Sequence, residues 1–461
     1  MSIDSKLELL NTAKAASVKT KAFERLHLLF DEGTFVELDA FAKSEDSDAE
    51  AIAGFGCVNG CPAYAFAQNS DVCGGAMSKA QAAKIKKVYD FAVKTGAPVI
   101  GLYDSIGARL KEGNDMLAAF GEMLLNSNNL SGVVPQISVV LGPCLGTGAM
   151  IAASADFVVM AKGAELKIET NSDDGSVEVN EKAGLCHLVA DDDKDAIAKV
   201  RNLITMLPAN NLSAAPVADC AAAGAGDLIS IANSIAAAGE YKADELISAV
   251  VDGGSYIELQ KNYGGAVSCG LAKLCGQTVG VISMSGKAID SEACSKAARV
   301  IRFCDAFAVP VLTFIDSTGF GSLREAAKLS NAYAEATTIK VSVVTGSAYG
   351  PMYIAVAGRG AGSDLTMAWP SASVSALAPE TAVAFLWNDK LKGSSNPVAD
   401  RAKLVAEYKE SEACPLKAAA DGFVEDVINP AETRDKLIAA LDMLSGKRVS
   451  RLPKKHANIQ L

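Results

Sequence analysis

Ile85, Val88, Tyr89 and Ala92 stand at i, i+3, i+4 and i+7, the spacing of one face of a helix, and Gly96 follows where the pattern stops. This predicts a helix that starts after Ser78, whose hydroxyl suits an N-cap, runs to about Thr95, and is ended by Gly96. On either side lie short apolar runs, Ala63 to Ala67 and Val99 to Tyr103, which predict strands, the second of them buried on both faces of a sheet. The same order returns later: a strand at Val279 to Ile282, a helix from about Ser291 through Ala297, Val300, Ile301 and Cys304, then a strand at Val311 to Ile315. Strand, helix, strand with crossovers of this length predicts βαβ units and an α/β fold.

The recurrence extends to the letters themselves. Pro98-Val-Ile-Gly-Leu-Tyr-Asp-Ser-Ile-Gly107 reads like Pro310-Val-Leu-Thr-Phe-Ile-Asp-Ser-Thr-Gly319, and each is followed by a β-branched run with paired glycines, Gly142 and Gly146 in one, Gly346 and Gly350 in the other. Gly60 and Gly276 are 216 residues apart, Asp104 and Asp316 212, Gly146 and Gly350 204. A falling offset is what an old duplication leaves when loops shorten and the elements keep their length. Pro208, Pro216, several Asn and many Ala and Gly between Leu207 and Gly239 mark a boundary, partly helical in its Ala-rich portion. The expected organisation is a first domain at 1–212, a connector at 213–239 and a second domain at 240–461. Two similar halves offer two similar sites, so a reaction between two substrates, one in each half, is the hypothesis to test.

Composition narrows the classes. With half of its 461 residues hydrophobic and 21% charged, the chain is expected to be globular. A formal net charge of −11 argues against a nucleic-acid partner, which needs a basic stripe, but leaves room for local anion sites. Met1 to Leu10 has no secretory pattern, and the apolar runs fall short of the roughly 18 residues that span a bilayer, so a cytoplasmic protein is expected. The eleven Cys, without framework spacing, are expected as reduced buried thiols, and Cys57 with Cys61 lacks the second pair a zinc ribbon needs, so no metal is expected. The acidic stretches Asp173 to Glu181 and Asp191 to Asp193 are expected to be solvated loops without chemistry.

Side-chain catalysis has few candidates. His27, His187 and His456 are the only histidines and none sits in a motif with a nucleophile; there is no GxxxxGK[ST] loop and no GxGxxG after a first strand. What remains is backbone chemistry at glycine turns where buried strands end, Gly107 with Gly146 and Gly319 with Gly350. Their N–H groups are able to hold a developing oxyanion; equally, the glycines are explained by tight turns and close helix packing alone.

Longer motifs decide between those readings. Cys73-Gly-Gly-Ala-Met77, Asp104-Ser-Ile-Gly-Ala-Arg-Leu-Lys-Glu-Gly113, Gly142-Pro-Cys-Leu-Gly-Thr-Gly-Ala149, Lys296-Ala-Ala-Arg-Val-Ile-Arg-Phe-Cys-Asp-Ala-Phe307 and Pro453-Lys-Lys-His-Ala-Asn-Ile459 resemble the carboxyltransferase subunit of biotin-dependent acyl-CoA carboxylases and decarboxylases. The propionyl-CoA carboxylase β chains and methylmalonyl-CoA decarboxylase α chains are the most similar members recognised, and the resemblance runs from about Arg25 to the C-terminus. It implies two tandem crotonase-like domains, the first holding an acyl-CoA and the second carboxybiotin, with the reactants meeting at a subunit interface of a dimer-based oligomer, up to a hexamer. It also implies that the biotin ureido nitrogen serves as the base, which accounts for the missing catalytic His. Carried over by residue, the N–H groups at Gly107, Ala108, Gly146 and Thr147 face the thioester enolate, and those at Gly319, Phe320 and Gly350 face the biotin ureido oxygen. Gly74, Gly75 and Ala76 line the pocket; Arg25 and Arg109 are candidates for the CoA phosphates, with an ion pair to a nearby carboxylate as the alternative for each. No Ala/Val-Met-Lys-Met site appears, so biotin is expected on a separate carrier protein, with a biotin carboxylase or a membrane sodium-pumping decarboxylase subunit as further partner, and association with a membrane only through that partner.

The chain departs from the family in places. Each late loop of the family carries two adjacent glycines; here they are Gly146-Thr147 and Gly350-Pro351, and proline has no N–H to donate. Ile106 replaces a family glycine and stands where it crowds an acyl chain; Phe23 replaces an arginine; the stretch from Ile168 to Gly184 and the loop after Gly319 are shorter. A paralogue that keeps the assembly surfaces as a scaffold is therefore the rival reading, and a crotonase-type hydratase or isomerase is weaker for want of a carboxylate pair.

Overall fold

The computed structural model describes residues 2–17, 20–44, 49–169, 174–238, 242–286, 288–392 and 394–458. Residues 1–216 and 217–461 form two compact units, each built on one eight-stranded sheet. In the first, β1 (Val36–Leu38), β2 (Ala51–Val58), β3 (Cys61–Gln68), β4 (Val99–Ser105), β5 (Gln136–Leu145), β6 (Phe157–Ala161), β7 (Glu165–Lys167) and β8 (Leu188–Ala190) lie in the order β1-β2-β3-β4-β5-β6-β8, with β7 beside the end of β5. In the second, β9 (Ile257–Leu259), β10 (Val267–Leu274), β11 (Gln277–Gly286), β12 (Val311–Ser317), β13 (Lys340–Tyr349), β14 (Leu365–Ala368), β15 (Ser373–Ser375) and β16 (Asp426–Val427) repeat that order as β9-β10-β11-β12-β13-β14-β16, with β15 beside β13. The first three strands of each sheet pair antiparallel and the rest parallel.

The antiparallel hairpins turn on two residues with positive φ, Asn59 (49°) and Gly60 (79°) in one and Cys275 (48°) and Gly276 (77°) in the other, as a two-residue turn between twisted strands requires. The crossover helices form where the periodicity predicts them. Lys79–Thr95 begins with Ser78 Oγ accepting from Gln81 N and ends at Gly96 in the left-handed region, and Ser291–Ala306 begins with Asp290 accepting from Ala293 N. Val99–Ser105 and Val311–Ser317 are buried at every position, as continuous apolar strands between helix layers must be. Where both central strands reach their carboxyl ends the register to the next strand shifts, between Tyr103 and Ser105 and again between Ile315 and Ser317. A Cβ at Gly142 would lie 2.1 Å from Asp104 Oδ1, and one at Gly346 2.2 Å from Asp316 Oδ1, so these two glycines let the aspartates tuck under the neighbouring strand.

The Ala-rich stretch after Pro216 forms the helix Leu228–Ala238, which buries Leu228, Ile231, Ala232 and Ile235 in the core of the second unit; Gly239 and Glu240 lie outside the described residues. The cysteine expectation is corrected at one pair. The backbone of Ala218 pairs with Gly276 at the hairpin tip (N to O 3.0 Å), and this brings Cys220 and Cys275 together in a disulfide. Nine cysteines are free; Cys144, Cys186, Cys269, Cys294 and Cys304 are buried, and burial pushes the thiols of the first four up to about 12. The acidic stretches are corrected too. Asp173 lies outside the described residues, Val177–Lys182 is helical, and Asp192 caps the helix Asp193–Ile204. Among the described residues no helix is long and apolar enough to cross a membrane.

Candidate functional site

In the first unit the chain leaves β4 through a loop held from two sides. Ser105 Oγ accepts from Gly107 N (3.2 Å), and Ile106 N donates to Gly74 O (3.1 Å). Met77 N donates to Gly107 O (2.7 Å) and Arg109 N donates to Met77 O (2.8 Å), a parallel bridge that grips the residues flanking Ala108 and leaves the Ala108 N–H pointing to the other side. Opposite this loop β5 ends at Gly146, whose φ of 64° sets up the helix Thr147–Ala153. Gly146 N is engaged by Lys167 O and Ile168 O at 3.1 and 3.2 Å, whereas Thr147 N, first in its helix, has no intrahelical acceptor. Among the described hydrogen bonds none uses the N–H of Ala108 or of Thr147.

Both residues, with Gly107 and Gly146, line one cavity of about 710 Å³. Its other walls are Ile106, Leu145, Ile168 and Glu169, and Met116, Leu117, Phe120, Gly121 and Leu124 from the helix Asp115–Leu130. All four residues expected at the thioester therefore meet in one place, and two of them keep a donor to offer. Among the described residues Glu169 is the one carboxylate in the lining. Gly74, Gly75 and Ala76 stand behind the wall rather than in it. Gly75, at φ 72°, has room for no Cβ, which would lie 2.1 Å from Asp104 O, and Gly74 O receives Ile106 N. Their part is to let the loop be gripped closely.

The second unit repeats the construction. Ser317 Oγ donates to Gly319 O (3.3 Å), Ile289 N donates to Gly319 O (3.0 Å), Gly321 N donates to Ile289 O (2.8 Å), and the bridge leaves the Phe320 N–H pointing away, as at Ala108. Gly350 N is engaged by Ser375 O (2.9 Å), the counterpart of Gly146. At the counterpart of Thr147 stands Pro351, first residue of the helix Pro351–Val356, with nothing to donate. Gly350 lines a separate cavity of about 380 Å³ with Tyr353, Ile354, Ser375 and Phe423, and Gly319 and Phe320 are not in its lining.

The two candidate arginines take the ion-pair alternative. Arg25, 5% exposed, donates through Nη1 to Asp104 Oδ2 (2.7 Å) and through Nε to Asp193 Oδ2 (2.8 Å), so Asp193 is no solvated loop residue. Asp104 Oδ2 also accepts from Ser70 Oγ (2.9 Å), which fixes the carboxylate at the end of β4 beside Gly142. Arg109 Nη2 lies 2.8 Å from the buried Glu50, whose other oxygen meets Ser78 Oγ. Asp316, the counterpart of Asp104, accepts from Ser347 N (2.8 Å); burial holds its carboxyl above the usual range, opposed by that hydrogen bond. Among the described residues there is no group of three or more His, Cys, Asp or Glu arranged to hold a metal ion.

The residues that sequence reasoning missed are those that hold the loops and those that wall the cavity. Ser105 and Ser317 sit next to the matched aspartates and so were within reach of the repeat. The helix wall was not, because Met116, Leu117, Phe120 and Leu124 read as ordinary core spacing.

Comparison with known proteins bears on this geometry. The family model described as the carboxyl transferase domain matches residues 14–459. The chain is 37% identical to the methylmalonyl-CoA decarboxylase subunit alpha of Veillonella parvula, with 97% of this chain and 94% of that one covered. It is 35% identical to the mitochondrial propionyl-CoA carboxylase beta chain of Homo sapiens, covering 96% and 88%. The first alignment is 487 positions long and so exceeds the 461 residues of this chain, which therefore lacks segments that the relative has. Among solved structures, transcarboxylase 12S, described as a hexamer with methylmalonyl-coenzyme A and methylmalonic acid bound, superimposes with a TM-score of 0.93 at 31% identity over 100% of this chain and 99% of that one.

Proposed function

The chain belongs to the carboxyl transferase family, and from that premise we propose that it moves a carboxyl group between biotin on a separate carrier protein and a short acyl-CoA whose enolate is held by backbone N–H groups. It is a carboxyltransferase with two crotonase-like domains. The observation that carries the assignment of its first site is the pair of uncommitted N–H groups, Ala108 and Thr147, on one cavity wall.

Two such donors, fixed before the reaction, hold a thioester carbonyl oxygen and hold it more strongly as charge develops on it in the enolate. Neither donor has to reorganise, because Met77 pins one loop and Lys167 and Ile168 pin the other. Arg25 and Asp104, which pair with each other and are not in the cavity lining, act as positioning residues at the end of the strand from which the first loop leaves. In the second unit the Phe320 N–H is the corresponding donor for the biotin ureido oxygen, and Pro351 leaves it without the second one, so the residues there fit the group with one hydrogen bond fewer. Biotin, when bound, supplies the carboxyl group and the ureido nitrogen that takes the α-proton, which suits a cavity whose lining holds no histidine.

With no attachment site of its own, the chain works with a biotin carrier protein and, by likeness to its relatives, with a biotin carboxylase or a sodium-pumping decarboxylase subunit; self-association on a dimer, up to a hexamer, belongs to the same reading. The test is purified chain, a biotinylated carrier and a panel of malonyl-, methylmalonyl- and glutaconyl-CoA, followed for thioester-dependent carboxylation of the carrier. Transfer from at least one thioester is expected. No transfer from any, while CoA still binds, rejects the reading in favour of a scaffold.

A further inference from the structure

Gly121 is the one glycine, among the described residues, inside a helix of eight residues or more. It is seventh in the sixteen-residue helix Asp115–Leu130, where glycine is the poorest residue short of proline. Among the described residues nothing requires it. A Cβ built there meets no atom within 4 Å, unlike Gly75, Gly142 or Gly346, where a Cβ would collide. Its φ lies outside the left-handed region, so the backbone does not require it either.

Gly121 is exposed and lies on the open cavity that Ala108 and Thr147 line, between Leu117, itself 74% exposed, and Leu124 one turn away on either side. A mid-helix glycine with no internal reason, on the wall of a ligand cavity, marks close approach by something that is not part of the chain. We infer that Gly121 is a positioning residue at which the thioester chain of the acyl-CoA crosses the helix Asp115–Leu130 at backbone distance, so that this position sets the width of chain the first site admits. The inference rests on the proposed acyl-CoA site and adds to it a determinant away from the reacting atoms. The wall on either side is hydrocarbon, so what crosses it is an extended, largely apolar chain, which an acyl group and the pantetheine arm both offer.

The experiment is calorimetric titration of the full chain and its G121A and G121V variants with free CoA, acetyl-CoA and butyryl-CoA, together with melting temperature and oligomer size. G121A is expected to melt at or above the wild-type temperature, since alanine is the better helix residue, and yet to bind the thioesters more weakly. G121V is expected to bind about tenfold more weakly or worse, the usual scale of overfilling a packed contact. Weakening confined to the acylated forms and greater for butyryl-CoA places the acyl end there; equal weakening that includes free CoA places the pantetheine arm there. Unchanged binding by G121V overturns the inference alone, and so does loss of binding that tracks a lowered melting temperature or a change in oligomer size while G121A binds as the wild type does. A wild-type chain that binds none of the three overturns the acyl-CoA reading as well.

Discussion

One of the two donors of the first site is the N–H of Thr147, and the second unit shows how to remove it without disturbing the helix. Pro351 occupies the matching first helical position, where a proline ring is well accommodated, and Gly350 before it has φ 42° and ψ −114°, close to the 64° and −135° of Gly146. Thr147→Pro is therefore expected to fold with an unchanged melting temperature and to lose about 10²- to 10³-fold in kcat, the scale of one oxyanion donor. A kcat within threefold of wild type would mean that the oxygen is held elsewhere. The glycines of these loops were legible in the sequence, but which N–H groups remain to donate was not. Gly107 and Gly146 look like the donors by motif, but their N–H groups are committed to Ser105 Oγ and to the carbonyls of Lys167 and Ile168, contacts made across the loops that no local pattern shows. The pairing of Arg25 with Asp104 and Asp193 was open for a related reason, since 168 residues separate Arg25 from Asp193.

Helices and strands were the most legible level, because their signals are local. Ser78 and Gly96 cap the helix Lys79–Thr95 at the two ends their side-chain and backbone chemistry predicts, and the matched strands Val99–Ser105 and Val311–Ser317 differ from the apolar runs by only their two polar ends. Contacts between elements were not legible. The Ala- and Pro-rich stretch after Leu207 reads as a connector, yet its helix is packed and its start is clasped by Cys220–Cys275 across 55 residues. A crosslink of that span is worth up to about 4 kcal/mol through the unfolded chain. Cys220→Ser is expected to lower the unfolding free energy of the oxidised protein by a large part of that and to leave the reduced protein unaffected, as denaturant titration with and without dithiothreitol would show. Equal stability under both conditions would remove the clasp from the account. Lys340 at the start of β13 carries a second element-level consequence. Its ammonium donates to Tyr333 O in the interior, and burial lowers its pKa to about 8, against the pull of Asp364. The folded value lies below the unfolded one of about 10.4, so between about pH 8 and 10.4 the unfolded chain holds more protons and this group makes stability rise with pH. Lys340→Met is expected to flatten that rise in the unfolding free energy; an unaltered slope would show the ammonium to be better solvated than its burial implies.

Across the whole molecule the duplication has preserved construction and let donation diverge. Both units share strand order, the register shift after the central strand, the buried aspartate under a glycine and the bridged loop, from Met77–Ala108 to Ile289–Phe320. The late loops differ in what they can donate, threonine in one and proline in the other. If the first unit holds the acyl enolate and the second the biotin ureido oxygen, the two substitutions at that position separate into two half-reactions. Pro351→Ala restores an N–H at the first helical position and is expected to speed the loss of CO2 from a carboxylated carrier in the absence of acyl-CoA, about tenfold or more, since the added donor acts where that charge develops. Thr147→Pro should leave that decay unchanged and depress only the transfer to acyl-CoA. The measurements are release of labelled CO2 from the carrier and appearance of label in the thioester. A Thr147→Pro chain slowed equally in both, or a Pro351→Ala chain altered only in transfer to the thioester, would show that the halves do not divide the chemistry as their donors suggest. Because each variant copies the residue type of the other half, or restores what that half lacks, the repeated fold serves as its own control for misfolding.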